Sequence, residues 1–385
     1  MRSGTVRLAV VDGSICDVLP AAAALLGVPD TSGRRSPLGL GERIGEVRRV
    51  AVVLVDGMGS HLLPHLAADA PLLTSVLAGK VGWLGELTCA FPSTTPTSLV
   101  SLSTGVLPGE HGVLGFTVKL PGSDRVLNHL VWRDDPPPAR WQPVSTWFER
   151  LARAGVSTRA LLPAGFLGSG LTQAAYRGAQ FCAAATGLGY GQRLADELAA
   201  APGLVYGYTA ELDTAAHLFG IGSPQWHAAA AHVDELLTRL VEALPPDAAL
   251  LVTADHGGLN APATARVDIG VEPRLAAGVR VVAGDPRVRY LHTEPGAVAD
   301  VVAAWSELLD GRAEVLRRDD AVQRGWFGPV RAEHLPRIGD VVVVCSGDLT
   351  VLASGHEPAE VARLIGIHGA ATPAEMAIPL IALRG

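Results

Sequence analysis

Three stretches of the chain set acidic and imidazole side chains directly behind apolar runs. Asp56 follows RRVAVVLV (48–55), Asp213 and His217 follow GLVYGYT (203–209), and Asp255 with His256 follows the apolar run DAALLVTA (247–254). Each has an ordinary use when taken alone. Asp56-Gly57 makes a turn, Asp caps helices, and Asp213 with His217 at i, i+4 forms a surface pair. Three carboxylates gathered at one crevice are another matter, because they repel one another and are costly to assemble unless cations neutralise them. Carboxylate and imidazole donors together suit zinc ahead of manganese or iron.

A metal centre needs a group to activate, and FPSTTPTSLVSLSTGVLPGEHGV (91–113) offers candidates. Ser93, Thr94, Thr95, Thr97 and Ser98 crowd the entry to SLVSLSTG, a segment that can form a short helix. N-capping accounts for most of these hydroxyls. A hydroxyl at a helix N-terminus also sits where backbone N–H groups and the dipole favour an anion. Held by a metal as well, it becomes an alkoxide nucleophile near neutral pH.

The order of elements says how such residues would meet. Short β-branched runs alternate with helical patterns, the signature of an α/β protein with a mostly parallel central sheet and helices on both faces. Strands are predicted at 48–55, 157–163, 203–209, 247–253 and 340–346. Ala229, His232, Val233, Leu236, Leu237, Leu240, Val241 and Leu244 draw one apolar helical stripe, on which His232 reads as a core-edge residue. In open α/β sheets the crevice lies beyond the carboxyl ends of the strands, where Asp56, Asp213 and Asp255 all fall. Adjacent side chains cannot share one strand face, so Asp255 and His256 require a break in the strand, with Gly257 and Gly258 leaving room for a sharp turn. From 271 to 338 the texture changes to a hairpin (VRVVAGDPRVRYLHT), a helix (AVADVVAAWSELL) and a strand (AEVLRR). We therefore expect a small inserted α+β cap subdomain at 271–338, with 1–270 and 339–385 forming the catalytic domain.

Composition narrows the classes. The 385 residues are 48% hydrophobic and 18% charged, enough for a sizeable core. A net charge of −7 lacks the basic face that a nucleic-acid polymer needs, and no apolar run reaches the roughly 20 residues that span a bilayer. Asp12 falls where a secretory signal needs apolar residues, and Cys16, Cys89, Cys182 and Cys345 show no metal-binding spacing. The expectation is a cytoplasmic protein with reduced cysteines and neither nucleic-acid nor membrane partner.

Five motifs then appear in a particular order: Asp56-Gly57, Thr95 nine residues ahead of Thr104-Gly105-Val106-Leu107-Pro108-Gly109-Glu110-His111-Gly112, Asp213 with His217, Ala254-Asp255-His256-Gly257, and His368-Gly369. This set resembles the alkaline phosphatase superfamily, and within it the nucleotide pyrophosphatase/phosphodiesterase branch. The resemblance implies an alkaline phosphatase-like fold, a small-molecule phosphoester substrate and two Zn²⁺ ions. Asp213, His217 and His368 would hold one ion, and Asp56, Thr95, Asp255 and His256 the other. Thr95 would be the nucleophile and carry a covalent phosphoryl or nucleotidyl group. The resemblance alone selects His368 over His356 and Thr95 over Thr94. Two such ions against three carboxylates leave a small positive excess, suited to a phosphodiester monoanion.

The chain also departs from that pattern. Relatives commonly place a base-stacking Phe after the nucleophile, where this chain has Pro96. Their phosphate-binding Asn falls here on Phe116, and Asn128 or a backbone N–H is the candidate replacement. His111 is expected to pack a loop, as are Trp132, Trp141 and Trp326 ahead of lining a pocket. The sulfatase pattern is only echoed at Cys89–Ser93, with Pro92 misplaced and no Arg. No Arg lies between Arg49 and Arg125 to clamp a monoester, which favours diesters or phosphonates over monoesters. The alternative from another class is a non-catalytic metal-binding protein of this fold. Substrate choice is expected to reside in the cap and in the loops at 114–145.

Overall fold

The computed structural model describes residues 9–29, 38–187 and 189–385. Twelve strands carry the architecture: β1 (Ala9–Ser14), β2 (Arg49–Val55), β3 (Trp83–Thr88), β4 (Thr158–Leu162), β5 (Gln180–Ala183), β6 (Gly203–Thr209), β7 (Ala248–Thr253), β8 (Val279–Gly284), β9 (Val288–Thr293), β10 (Ala313–Arg317), β11 (Val341–Cys345) and β12 (Ala377–Arg384). Eight form the central sheet in the order β1-β3-β12-β7-β2-β6-β4-β5. Within it β2, β6 and β7 lie side by side and parallel, with Val55 opposite Thr209 and Leu54 opposite Thr253. β6 and β7 are buried throughout, and β2 is buried beyond Arg49, as expected of strands covered on both faces. Helices flank the sheet. The ones that matter here are α1 (Thr95–Thr104), α2 (Glu211–Phe219), α3 (Pro224–Glu242) and α4 (Val298–Leu309). No helix among the described residues is long and apolar enough to cross a membrane.

β12 is the one antiparallel member, inserted between β3 and β7. It carries Pro379 in a sheet interior, where a missing N–H normally argues against a strand. Thr253 Oγ1 donates to the Pro379 carbonyl at 2.7 Å and ties this irregular point to β7.

β8, β9, β11 and β10, in that order, make a second, antiparallel sheet. This corrects one expectation: the run at 340–346 belongs to this second sheet and not to the central one. Its side chains explain the error. Val342 and Val344 face the main core, while Val341, Val343 and Cys345 face a smaller core built around Trp305 of α4. A strand buried on both faces reads as an unbroken apolar run in either kind of sheet. The four-stranded sheet therefore draws a member from beyond residue 338.

Candidate active site

The three central strands end in register, and each end delivers donors to one point. Asp56 follows β2, Asp213 and His217 lie on α2 just past β6, and Asp255 and His256 follow β7. The chain leaves strand geometry at Ala254, so both Asp255 and His256 turn into the site. Close packing of backbone makes this possible: a Cβ on Gly257 would come within 2.1 Å of the Ala374 carbonyl, and one on Gly59 within 2.6 Å of the Gly257 Cα. The glycine requirement at 257 is close approach, since its φ is not positive. Gly57 combines both demands, with φ +73° and a Cβ position 3.0 Å from Asp213.

Thr95, Asp56, Asp255 and His256 converge on one point. His256 Nε2 lies 3.2 Å from Thr95 Oγ1, 3.3 Å from Asp56 Oδ1 and 3.4 Å from Asp255 Oδ2. Ligands about 2.0–2.1 Å from a tetrahedral ion stand about 3.3 Å apart, so the three spacings from His256 match those between ligands of one ion, and donor atoms of Asp56, Asp255 and His256 all lie within 4.8 Å of one another. A second group joins Asp213, His256 and His368, with donor atoms within 4.8 Å of one another. His217 Nε2 approaches Asp213 Oδ2 at 3.0 Å, and the His368 ring stacks on His256 at 3.5 Å between centroids. The second group thus contains His256 where the sequence reading placed His217, which lies beside Asp213.

The backbone fixes how these groups present themselves. The Nδ1 atoms of His217, His256 and His368 lie 2.7, 2.9 and 2.8 Å from the carbonyls of Gly366, Gly257 and Ser93. Each ring therefore donates through Nδ1 and turns Nε2 into the site, as a lone pair in the neutral imidazole. The carboxylates show the complementary pattern. Asp255 Oδ1 accepts from the N–H groups of Gly57 and His256, both at 3.1 Å, and Asp56 Oδ2 accepts from Tyr208 O–H. Asp56 Oδ1 and Asp255 Oδ2, both buried, have no donor. Buried oxygens without partners, facing unprotonated nitrogens, are the donor set of a cation site.

The electrostatics agree. Burial, then the charges of Asp255 and Asp213, push the Asp56 carboxyl well above its usual range. Burial and Asp213 push Asp255 up to about 6. Burial lowers His256 to about 4 and, with His256 beside it, His368 to about 3. For Asp213 burial works upward but the His217 charge outweighs it and holds the carboxyl below its usual range. Burial would lower His217, yet Asp213 raises it to about 8.

Thr95 is the first residue of α1, after the extended Thr94, so its hydroxyl sits at the positive end of a buried helix. One side of it opens into a cavity of about 280 Å³ whose lining includes Leu99, Val131, Trp132, Phe166, Tyr176 and Tyr208. Of the two substrate-contacting candidates, neither Phe116 nor Asn128 is among the described residues lining it. Asn128 Oδ1 instead accepts from Leu130 N–H at 2.9 Å and shapes its own turn. The 114–145 region does contribute a wall, through 130–133, but the second sheet does not, and the segment around Phe166 and Tyr208 was not foreseen. Tyr208 alone had a readable signal, being the penultimate residue of a strand that ends at the site. Trp132 both lines the cavity and anchors its loop, donating to the Pro136 carbonyl at 2.9 Å. Trp141 donates to His129, and Trp326 packs on Phe91. His111 packs as expected, fully buried between Ser101 Oγ and Val113 N–H.

An α/β sheet whose central strands gather carboxylates and imidazoles around a helix-terminal hydroxyl defines the alkaline phosphatase-like class of phosphoester hydrolase. The family model described as "Type I phosphodiesterase / nucleotide pyrophosphatase" matches residues 50–371, and the chain belongs to that family. Solved structures of the same fold include murine ectonucleotide pyrophosphatase/phosphodiesterase 5, at 18% identity and TM-score 0.67, covering 87% of this chain and 88% of that one. The murine protein is also known as an inactive variant in complex with AMP, at 17% identity, TM-score 0.68 and the same coverage. Phosphonoacetate hydrolase from Sinorhizobium meliloti 1021, in complex with phosphonoacetate, matches at 20% identity and TM-score 0.66, covering 88% and 90%. No curated protein matches the chain.

Proposed function

We propose that this protein is a di-zinc hydrolase of small phosphodiesters or pyrophosphates that works through a covalent threonine intermediate. The observation that carries the reading is Thr95 Oγ1 at 3.2 Å from His256 Nε2, in a shell whose other members are the orphaned oxygens of Asp56 and Asp255. Asp56, Thr95, Asp255 and His256 would hold one ion, and Asp213, His217 and His368 the other. Manganese or iron would fit the same donors less well. When bound, such ions supply positive charge that favours the Thr95 alkoxide and draws the phosphoryl oxygens. Thr95 then attacks phosphorus and displaces the leaving alcohol or phosphate. Water releases the phosphoryl group from Thr95, consuming one water per ester cleaved. The backbone bonds to Nδ1 keep each imidazole aimed throughout the cycle. We place the protein in the cytoplasm, a reading supported by the burial of Cys89 and Cys345 in cores that need no cross-link.

The test is hydrolysis of bis-p-nitrophenyl phosphate with metal analysis of the same sample. Activity should vanish with chelator, return with Zn²⁺ and fall on the order of 10³-fold or more in Thr95→Ala. Zinc retained without turnover of diesters, monoesters or phosphonates would leave a non-catalytic metal-binding protein. A second reading, a phosphonate hydrolase on the same site, is favoured by the likeness to phosphonoacetate hydrolase. Release of inorganic phosphate from phosphonoacetate in preference to diester cleavage would select it.

A further inference from the structure

The cavity beside Thr95 has a chemistry of its own. Leu99, Leu130, Val131, Trp132, Phe166, Leu171, Tyr176 and Tyr208 supply apolar or aromatic surface to it. Most polar side-chain atoms within that surface are already engaged by the protein. Trp132 Nε1 donates to Pro136 O, Tyr176 O–H to Tyr206 O–H at 3.2 Å, and Tyr208 O–H to Asp56. Ser169 Oγ donates to Thr172 Oγ1 at 2.9 Å and accepts from Thr172 N–H at 3.1 Å, capping a short helix. Among the described lining residues only Arg133 is charged, and it stands exposed at the rim. At the mouth, Val131 is 74% and Phe166 38% exposed, large apolar groups held in solvent.

A pocket walled mainly by apolar and aromatic surface, with its one charged group at the rim, reads the edge of a polar ring system poorly, because most polar atoms entering it lose hydrogen bonds to water without replacement. It can hold an apolar group. Attack by Thr95 in line with the departing oxygen puts the leaving group on the far side of phosphorus. The substituent that enters a cavity walled by Thr95 and Leu99 is therefore one retained on phosphorus. Resting on the hydrolase reading above, we propose that this site selects phosphodiesters or phosphonates whose retained substituent is apolar, an alkyl or aryl group seated between Phe166, Trp132 and Leu99.

The experiment holds the leaving group constant. p-Nitrophenyl esters of methyl, butyl and hexyl phosphate and of thymidine 5′-monophosphate are compared by kcat/KM on the metal-loaded enzyme. The expected result is a rise of about fourfold per methylene, as for full burial of each group, until the cavity is filled. The thymidine ester should fall below the hexyl ester. Phe166→Ala and Val131→Asp should each reduce the hexyl-to-methyl ratio by about tenfold or more. A flat series, or a thymidine ester preferred over hexyl, overturns the proposal and leaves the hydrolase reading standing. If no ester turns over, the hydrolase reading falls. Calorimetric binding of hexylphosphonate against methylphosphonate then decides this one, equal affinities overturning it and a matching slope upholding it.

Discussion

Two buried charge clusters share the segment 368–376, and they are built on opposite principles. In the first, Arg287 at the turn between β8 and β9... grips Glu375 through Nε at 2.9 Å and Nη2 at 2.8 Å. Two further N–H groups donate to the carbonyls of Leu349 and Gly347. Glu375 in turn accepts from Ala370 N–H at 3.0 Å and Thr372 O–H at 2.6 Å. Both side chains are wholly inaccessible, and both carboxylate oxygens are satisfied. In the second, Asp56, Asp255 and Asp213 gather with no arginine or lysine among them, and two oxygens lack any donor. The difference separates a structural charge from a functional one. A buried pair that neutralises itself locks one arrangement, whereas a buried cluster left short of donors is completed only by something that binds.

The sharpest way to break this comparison is Asp255→Asn. The amide oxygen can keep the bonds from Gly57 and His256, while the negative charge disappears. Hydrolysis should fall on the order of 10³-fold or more, with loss of bound metal. The chelated variant, however, should be more stable than chelated wild-type protein, by about 1–3 kcal/mol, because an orphaned buried acceptor is gone. Denaturant titration with chelator, alongside metal analysis, checks both halves. A chelated variant less stable than wild type would place Asp255 among the structural charges.

At the other cluster the sign reverses. Arg287→Met strands Glu375, and Glu375→Gln strands Arg287, so each should cost about 3–5 kcal/mol. The pair Arg287→Met with Glu375→Leu should recover part of that loss, which denaturation of all three variants would reveal. Because Glu375 Oε1 also holds Ala370 N–H, two residues from His368, the single variants should additionally bind their metal more weakly. Variants as stable as wild type would show the pair to be dispensable.

The donor cluster was largely legible in the sequence, and the reason is physical. An acid or imidazole immediately behind a buried strand is a local violation of patterning, visible at Asp56, Asp213 and Asp255-His256 without any tertiary knowledge. His368 follows only a two-residue buried strand, Gly366–Ile367, too short to leave a pattern, and only the resemblance distinguished it from His356. The partner of Arg287 lies 88 residues away, a distance no periodicity spans. The cavity wall is assembled from loop residues around 130–133 and 165–172 with the end of β6, ordinary apolar residues whose meaning depends on what they face. The doubly buried β11 and the proline-bearing β12 were misplaced or missed because a local pattern identifies burial, not the sheet that provides it.

The smallest expected effect is a pH slope confined to the functional cluster. His217 titrates near 8 beside Asp213, against an ordinary value of 6.5. A raised imidazole contributes stability that is fully present below about pH 6.5 and is lost as pH climbs through 8. Asp56, displaced upward by burial, acts with the same sign. Between pH 4 and 6.5 the upward shift of Asp255 and the downward shift of His256 oppose each other, so the slope emerges above 6.5. Chelated protein should therefore lose on the order of 1–2 kcal/mol between pH 6.5 and 8.5. Zinc-loaded protein should not follow it, since a neutral His217 is the form that binds an ion and occupancy gains as the proton leaves. Chelated His217→Gln should flatten the slope. An identical fall in chelated and zinc-loaded samples would trace the titration to groups outside the cluster and remove His217 from the set of donors.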